Sequence, residues 1–215
     1  MAATGRVAGL NFASATSPGG GFLSGARAQE ECIARSSGLY ACLEHREMYA
    51  RHRAVLDATY SDYVIYSPDV PVFRSDDGHL LEEPWSMSVL TCPAVNGVGI
   101  SKYAPERATE IPQVMRERTR KVLAVAAGHG QRRLILGAWG CGAFGRDREM
   151  MAGLFAEALA EHGGGVFDEV VFAVTDWSPE RRFIGPFFER SRLTGNTLSR
   201  RLADREDGPR SWERP

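Results

Sequence analysis

The chain has 215 residues, which is enough for one domain with a full core, and its 43% hydrophobic and 25% charged residues are typical of a soluble globular protein. Its formal net charge of -1 removes the simplest argument for bulk binding of nucleic acid. No stretch approaches the ~18 uncharged apolar residues of a membrane span, and the N-terminus lacks the residue order of a signal peptide. We therefore expect a cytoplasmic protein without a membrane partner.

The first half of the chain predicts a strand, a glycine-rich break, two helices and a hairpin. Residues 6–13 form a short apolar run that is typical of a buried strand. A helical pattern begins at Ser24, its predicted N-cap, and a second helical stretch covers residues 39–56. Between residues 60 and 95, short β-rich segments divided by prolines predict a hairpin and then a central strand that ends near Ala94.

The second half alternates helices with strands. The pattern predicts helices over 111–128 and 148–162 and strands over 133–138 and 169–174. This alternation predicts an α/β sandwich. Three late aromatic residues are expected in the core, with stacking on a base as the alternative, namely Phe183, Phe187 and Phe188. We expect one domain over residues 6–190, and the charged composition of residues 191–215 predicts a disordered tail.

Cysteine and histidine spacing gives no sign of a metal site or a disulfide framework. The four cysteines show no C-x-x-C pair, and the five histidines show no ligand spacing. We predict four buried thiols, no metal and no cofactor. The cysteines are Cys32, Cys42, Cys92 and Cys141.

A glycine triplet followed by two acids is the first motif that indicates chemistry. Gly19, Gly20 and Gly21 lie between the first strand and the predicted helix, where backbone N–H groups and a helix N-terminus suit a phosphate. Glu30 and Glu31 follow on that helix, and neighbours there diverge by about 100°, so only one can point at a ligand. Adjacent helical acids are usually just solvated. Their position after this loop favours a partly buried acid with a raised pKa.

A second glycine-rich loop follows the strand at 133–138. The run GCGAFG over residues 140–145 offers another backbone cradle for an anion, and two cradles together fit a diphosphate. The run also matches G-x-G-x-x-G, so a nicotinamide cofactor is an alternative, although position 161, where that motif expects an acid, falls in a helix. A tight turn is the plainer interpretation of either loop taken alone. Phe144 fits equally a core anchor or a contact with a ligand ring.

The spacing of these motifs resembles that of the bacterial-type poly(ADP-ribose) glycohydrolases, whose signature is a glycine triplet, a short spacer and Gln-Glu-Glu. Here seven residues separate Gly21 from Gln29-Glu30-Glu31. Further similarity lies at residues 11–13, 66–73 and 136–145, so the resemblance covers about residues 10–188. It implies a three-layer α/β/α macrodomain sandwich with a mixed sheet. In the family, the first strand of the macrodomain lies upstream of the matched region. We therefore expect that the sheet of this chain can lack that strand.

The resemblance also implies roles for single residues. Glu31 would protonate the departing ribose oxygen and then activate water, and Glu30 would orient the ribose. Asn11 would contact that ribose, the two glycine loops would hold the diphosphate, and Phe144 would lie against the distal ribose. The implied substrate-binding residues are Asn11, Gly19, Gly20, Gly21, Gln29, Gly140, Cys141, Gly142, Ala143 and Phe144.

The resulting hypothesis is an enzyme that hydrolyses the ribose–ribose O-glycosidic bond of poly(ADP-ribose) and releases ADP-ribose. Its expected partners are the polymer or other ADP-ribosylated macromolecules, and we expect a monomer. One alternative is a hydrolase of single ADP-ribosyl groups on protein or nucleobase. Another is a non-catalytic module that binds ADP-ribose, for which the Gln-Glu-Glu run would have no use.

Overall fold

A mixed sheet of five strands lies at the centre of the computed structural model, which describes residues 7–55, 57–162, 165–176, 178–180 and 182–193. The strand order is β2-β3-β1-β4-β5. Strands β3, β1, β4 and β5 are parallel to one another, whereas β2 pairs with β3 antiparallel as a hairpin. The strands are β1 Val7–Phe12, β2 Ile65–Arg74, β3 Leu80–Cys92, β4 Arg133–Leu136 and β5 Glu169–Phe172.

Helices cover both faces of the sheet. The helices are α1 Gln29–Ser36, α2 Leu39–Leu43, α3 Glu47–Val55, α4 Gly97–Tyr103, α5 Ile111–Gly128, α6 Arg148–Glu161 and α7 Ile184–Leu193. Two short 3₁₀ turns lie at Phe22–Ser24 and Pro105–Glu110. The larger core joins one face of the sheet to α4, α5, α6 and α7, and the smaller core joins the other face to α2 and α3.

Side-chain alternation along the central strands separates the two cores. Ala8 and Leu10 of β1 belong to the larger core, whereas Val89 of β3 belongs to the smaller one. Asn11 leaves β1 on the face that α1 covers, where it meets Thr91 of β3. The predicted three-layer α/β sandwich is therefore confirmed, and polar residues of β1 and β3 lie directly beneath α1.

Several predicted boundaries are wrong. Helix α1 begins at Gln29 rather than Ser24, because Gly25 adopts a left-handed backbone (φ 89°) and the Ser24 hydroxyl donates to the Gly21 carbonyl instead of capping a helix. The long helix expected over 39–56 is divided into α2 and α3. The central strand and the second hairpin strand are one strand, β3, which continues through Pro84 beside a register irregularity.

Other predictions have mixed outcomes. Helix α5 has the predicted bounds, and α4 was not predicted. Cys92 and Cys141 are buried as expected, but Cys32 and Cys42 are only partly buried, although Cys42 packs against the smaller core. Phe187 is a core residue. The expected tail boundary falls within α7, and residues 194–215 lie outside the described part of the chain.

Within the described residues, no helix has both the length and the apolar character that crossing a membrane requires.

Candidate active site

A cavity of about 370 Å³ opens where the parallel strands β1, β3 and β4 end. Open α/β sheets bind ligands beyond the carboxyl ends of their strands, since the loops there converge. One wall comes from the end of β1 and the start of α1, and the other from the loop after β4. The lining residues are Phe12, Ala13, Ser14, Ala28, Gln29, Glu30, Glu31, Ala94, Ala138, Trp139, Gly140, Gly142, Ala143 and Phe144.

Glu31 stands on the cavity wall with its carboxylate fixed by two backbone donors. Its Oε1 accepts from the Gly21 N–H at 2.9 Å, and its Oε2 accepts from the Ala28 N–H at 2.9 Å. The second bond folds the side chain back over the first turn of α1, so Glu31 itself caps the helix. The carboxylate is thereby held in one orientation beside the cavity.

The glycine triplet provides the room for this arrangement. Gly20 has φ 63°, and a Cβ at this residue would stand 2.2 Å from Glu31 Oε1 and 3.0 Å from Glu30 Oε2. Both carboxylates therefore converge on the Gly20 backbone. A side chain there would strain the left-handed backbone and displace the Glu31 carboxylate.

Glu30 is buried more deeply than its neighbour and is bonded to β1. Its Oε2 accepts from the Ser14 N–H at 2.6 Å, and its Oε1 accepts from Asn11 Nδ2 at 3.2 Å. Burial, helped to a smaller extent by the nearby Glu31 carboxylate, raises the pKa of Glu30 to about 7 against the opposing effect of its hydrogen bonds. Near neutral pH, Glu30 therefore divides between its protonated and ionised forms.

Two polar side chains, those of Gln29 and Asn11, connect α1 to the end of β1. Gln29 accepts from the Phe12 N–H at 2.9 Å and donates to the Leu10 carbonyl at 2.8 Å, as a neighbouring strand would. Asn11 is fully buried and donates to both Glu30 and Thr91, while its Oδ1 finds no partner among the described residues. Gln29 thus sets the position of the helix, and Asn11 sets the position of one acid.

Helix α3 anchors the loop that leads from β1 to the glycines. His52 donates from Nδ1 to the Ala15 carbonyl at 3.0 Å and accepts at Nε2 from the Ser61 N–H at 2.9 Å. Burial lowers the pKa of His52, which favours the neutral ring that these bonds require. Arg53 adds a bond from its guanidinium to the Thr16 carbonyl at 2.6 Å. These bonds tie the first loop to the smaller core.

The second loop places Phe144 at the mouth of the cavity. Gly140 and Gly145 adopt left-handed backbones, which turns the chain back on itself, and the Phe144 carbonyl accepts from the Gly97 N–H at 3.0 Å. The Phe144 ring lies 6.2 Å from that of Tyr60. Tyr60 itself has φ 58°, a strained backbone for a tyrosine, so the surrounding contacts hold it in place.

Comparison with known proteins assigns the family. A family model described as "Microbial-type PARG, catalytic domain" matches residues 1–75, PARG standing for poly(ADP-ribose) glycohydrolase. The enzyme of that name from Deinococcus radiodurans, in complex with ADP-ribose, is 44% identical over 87% of this chain and 76% of its own, with a TM-score of 0.82. The enzyme from Thermomonospora curvata, bound to the inhibitor ADP-HPD, is 53% identical over 88% of this chain and 72% of its own, with a TM-score of 0.82. A comparison with curated proteins gives no match.

The chain belongs to the microbial-type poly(ADP-ribose) glycohydrolases. The resemblance expected from the sequence is confirmed, as is the assignment to a family of glycoside hydrolases with a macrodomain-like fold. The nicotinamide alternative for the second loop has no support from these relatives.

Most of the residues predicted for the site lie together in this glycohydrolase. Glu30, Glu31 and Gln29 line the cavity with four members of the second loop. Five predicted residues are not among those that line the cavity, namely Asn11, Gly19, Gly20, Gly21 and Cys141. Asn11 and Gly21 instead contact the acids, and the Cys141 thiol faces the Trp139 carbonyl.

Sequence reasoning missed several residues that shape the site of the glycohydrolase. Ser14 and Ala28 contribute backbone N–H groups, which no side-chain pattern reveals. The histidine spacing did not single out the buried His52, and nothing in the sequence linked Tyr60 to Phe144. Among the described residues, no three histidine, cysteine, aspartate or glutamate side chains lie close enough together to hold a metal ion.

Proposed function

We propose that this glycohydrolase cleaves the ribose–ribose O-glycosidic bond of poly(ADP-ribose) and releases ADP-ribose. The observation that carries the proposal is the Glu31 carboxylate, which is held at the cavity wall by Gly21 and Ala28 beside the second loop. The relatives from D. radiodurans and T. curvata, which bind ADP-ribose and ADP-HPD, support the same ligand class for this cavity.

In the proposed mechanism, protonated Glu31 donates its proton to the departing ribose oxygen. The bond between that oxygen and the anomeric carbon breaks, its electron pair stays on the oxygen, and an oxocarbenium-like centre develops. The Glu31 carboxylate then takes a proton from water, whose oxygen bonds to the anomeric carbon. This cycle returns the proton to Glu31 and needs only one acid and base.

Glu30 serves in this proposal as the residue that orients the reacting ribose. Its two bonds to the Ser14 N–H and Asn11 fix the carboxyl group, and it also lines the cavity. Because its pKa is about 7, Glu30 is partly protonated near neutral pH, which reduces repulsion between the two adjacent carboxylates.

The loops provide the remaining contacts of the proposal. The second loop lines the cavity with Gly140, Gly142, Ala143 and Phe144, and its backbone suits a diphosphate with the Phe144 ring against the distal ribose. Gly21 supports Glu31 through its N–H, and in this proposal the glycine triplet forms the other side of the diphosphate site. Residues 6–190 form the catalytic domain in this proposal.

We also propose a monomer that acts in the cytoplasm. All the site residues come from one chain, which supports a monomer, and light scattering after size-exclusion chromatography tests it. The four cysteines are free thiols, as expected in a reducing compartment. Cell fractionation tests the location.

The test of the proposed function is ADP-ribose release from purified polymer, measured by chromatography. We expect release by the wild type and a loss on the order of 10²- to 10⁴-fold for Glu31→Gln, since general acid and base catalysis is removed. Glu83→Gln, at an exposed position of β3, is the matched control. Release that Glu31→Gln leaves unchanged would contradict the assigned role. ADP-ribose binding without release would identify a binding module, and release only from singly modified protein would identify the alternative hydrolase.

A further inference from the structure

A second cavity, about 360 Å³ in volume, lies directly beside the candidate active site. Its lining residues are Gly97, Val98, Ser101, Lys102, Gly145 and Arg146. Phe144 lines the first cavity, and the next two residues of the chain, Gly145 and Arg146, line the second. A ligand longer than one ADP-ribose unit could therefore extend from one cavity to the other.

Arg146 is placed in this cavity by the fold of the second loop. Its backbone N–H donates to the Gly140 carbonyl at 2.9 Å, and its Nε donates to the Phe144 carbonyl at 3.2 Å. The guanidinium fills the space where a side chain of Gly97 would stand, since a Cβ there would lie 0.9 Å from Nη2. Its position is therefore defined by backbone on two sides.

The guanidinium has no counter-charge in the described part of the chain. Its Nη1 and Nη2 make no hydrogen bond there, and no carboxylate lies within ion-pair distance. Partial burial lowers the pKa of Arg146, as expected for a cation that has lost water without gaining an anion. A half-buried guanidinium with free N–H groups is suited to a phosphate, which it can bind through two parallel hydrogen bonds.

Lys102 adds a second cation to the same cavity, and Ser101 adds a hydroxyl group. Lys102 lies on α4 with its ammonium 4.9 Å from the Tyr103 ring, and it makes no ion pair with a described residue. The lining contains two cations and no carboxylate, although the whole chain has a formal net charge of -1. Positive charge is thus concentrated at one place beside the active site.

We propose that this cavity binds a phosphate group of the polymer unit next to the one being released. The proposal rests on the proposed function, because every further ADP-ribose unit of the polymer carries its own diphosphate. Arg146 provides the paired N–H donors, Lys102 provides a point charge, and Ser101 provides a hydroxyl donor. The cavity favours a polymer over a single ADP-ribose group.

The test compares polymer with free ADP-ribose as ligands of the Glu31→Gln protein, in which turnover is removed. Lys102→Ala should weaken polymer binding on the order of 3- to 10-fold at low salt and lower the slope of log affinity against log salt by about 0.7. Binding of ADP-ribose, measured by calorimetry, should change by less than about twofold. Arg146→Gln should show a larger polymer effect, and Arg146→Lys should restore part of it.

The matched control is Lys121→Ala, because Lys121 is the other lysine of the chain and lies exposed on α5. Equal polymer affinity and salt slope for the Lys102→Ala and Lys121→Ala proteins would overturn the proposal. Equal losses for polymer and ADP-ribose would also overturn it, since the cavity would then belong to the released unit. Failure of the proposed function can be told apart from failure of this proposal. If the proposed function fails, the wild type releases no ADP-ribose from the polymer, and the binding measurements still decide whether the cavity binds the polymer.

Discussion

Replacement of Gly20 by alanine should displace the Glu31 carboxylate and slow catalysis while the protein still folds. The new methyl group would stand 2.2 Å from Glu31 Oε1, while real Cβ contacts essentially never fall below 3.0 Å. The carboxylate must therefore retreat by close to ~1 Å, and a displacement of this size can lower a catalytic rate by about 10²-fold. It must also lose part of its bond to the Gly21 N–H.

The cost in stability should be small enough for the Gly20→Ala protein to fold. Alanine in the left-handed region, at φ 63°, costs roughly 1–2 kcal/mol. For a domain of this size, that corresponds to a fall in Tm of about 2–8 °C. The Gly20→Ala protein should therefore fold and yet release ADP-ribose from polymer about 10²-fold more slowly at saturating substrate.

The matched control is Gly25→Ala in the same loop. Gly25 has φ 89°, but no atom lies within 4 Å of the position of its Cβ. This variant bears a comparable backbone strain without any collision with Glu31, so it should lose stability and keep its rate. Rates are measured by initial ADP-ribose release, and stability by thermal unfolding. A Gly20→Ala rate within about threefold of the Gly25→Ala rate would refute the reasoning, since the collision would then have no catalytic consequence.

Three further predictions concern Glu30, Arg118 and the buried thiols. Burial raises the pKa of Glu30 from 4.5 to about 7. Between these two pH values the folded protein still binds a proton that the unfolded chain has lost. The free energy of unfolding therefore falls as the pH rises from 4.5 to 7, by at most about 3 kcal/mol. Glu30→Gln should remove this slope in urea unfolding between about pH 5 and pH 8, and an unchanged slope would contradict the assignment. Arg118→Met should lower the free energy of unfolding by ~3–5 kcal/mol, because the fully buried guanidinium donates to the carbonyls of Thr59 and Pro93. The ion-pair partner of Arg118, Asp62, is half-exposed, so Asp62→Asn should lower the same free energy by less than ~1 kcal/mol. Burial raises the pKa of Cys92 and of Cys141 to about 12, so iodoacetamide should modify both only after unfolding, as mass spectrometry would show.

Local periodicity predicted the elements whose structure is set by their own residues. Helix α5 has the predicted bounds, since its apolar positions repeat at helical spacing up to a terminal glycine. The start of α1 could not be found in this way. Ser24 has the side chain of an N-cap, but the cap of α1 is the Glu31 carboxylate, which returns to the Ala28 N–H.

The candidate site shows the same limit at the level of single contacts. The sequence predicted two acids and two glycine loops around one diphosphate, and the structure brings the acids and the second loop together because loops after parallel strands meet at one edge of the sheet. Its assignment of the glycine triplet to a phosphate stays a prediction, and it did not foresee that the Gly21 N–H donates to Glu31. Its placement of Asn11 against a ribose also stays a prediction, and it did not foresee that Asn11 is fully buried and bonded to Glu30. Such partners depend on how distant segments pack, which spacing along the chain does not contain.

The structure explains why three polar residues follow one another at the start of α1. Neighbours on a helix diverge by about 100°, so Gln29, Glu30 and Glu31 reach three different partners within one turn. Gln29 pairs with the β1 backbone, Glu30 meets Asn11 and the Ser14 N–H, and Glu31 meets the Gly21 and Ala28 N–H groups. Two adjacent carboxylates would repel each other in a buried site, but the helix N-terminus and the backbone donors favour negative charge there. The same turn that fixes the helix to the sheet therefore also orients both acids, and a shift of α1 along β1 would displace them together.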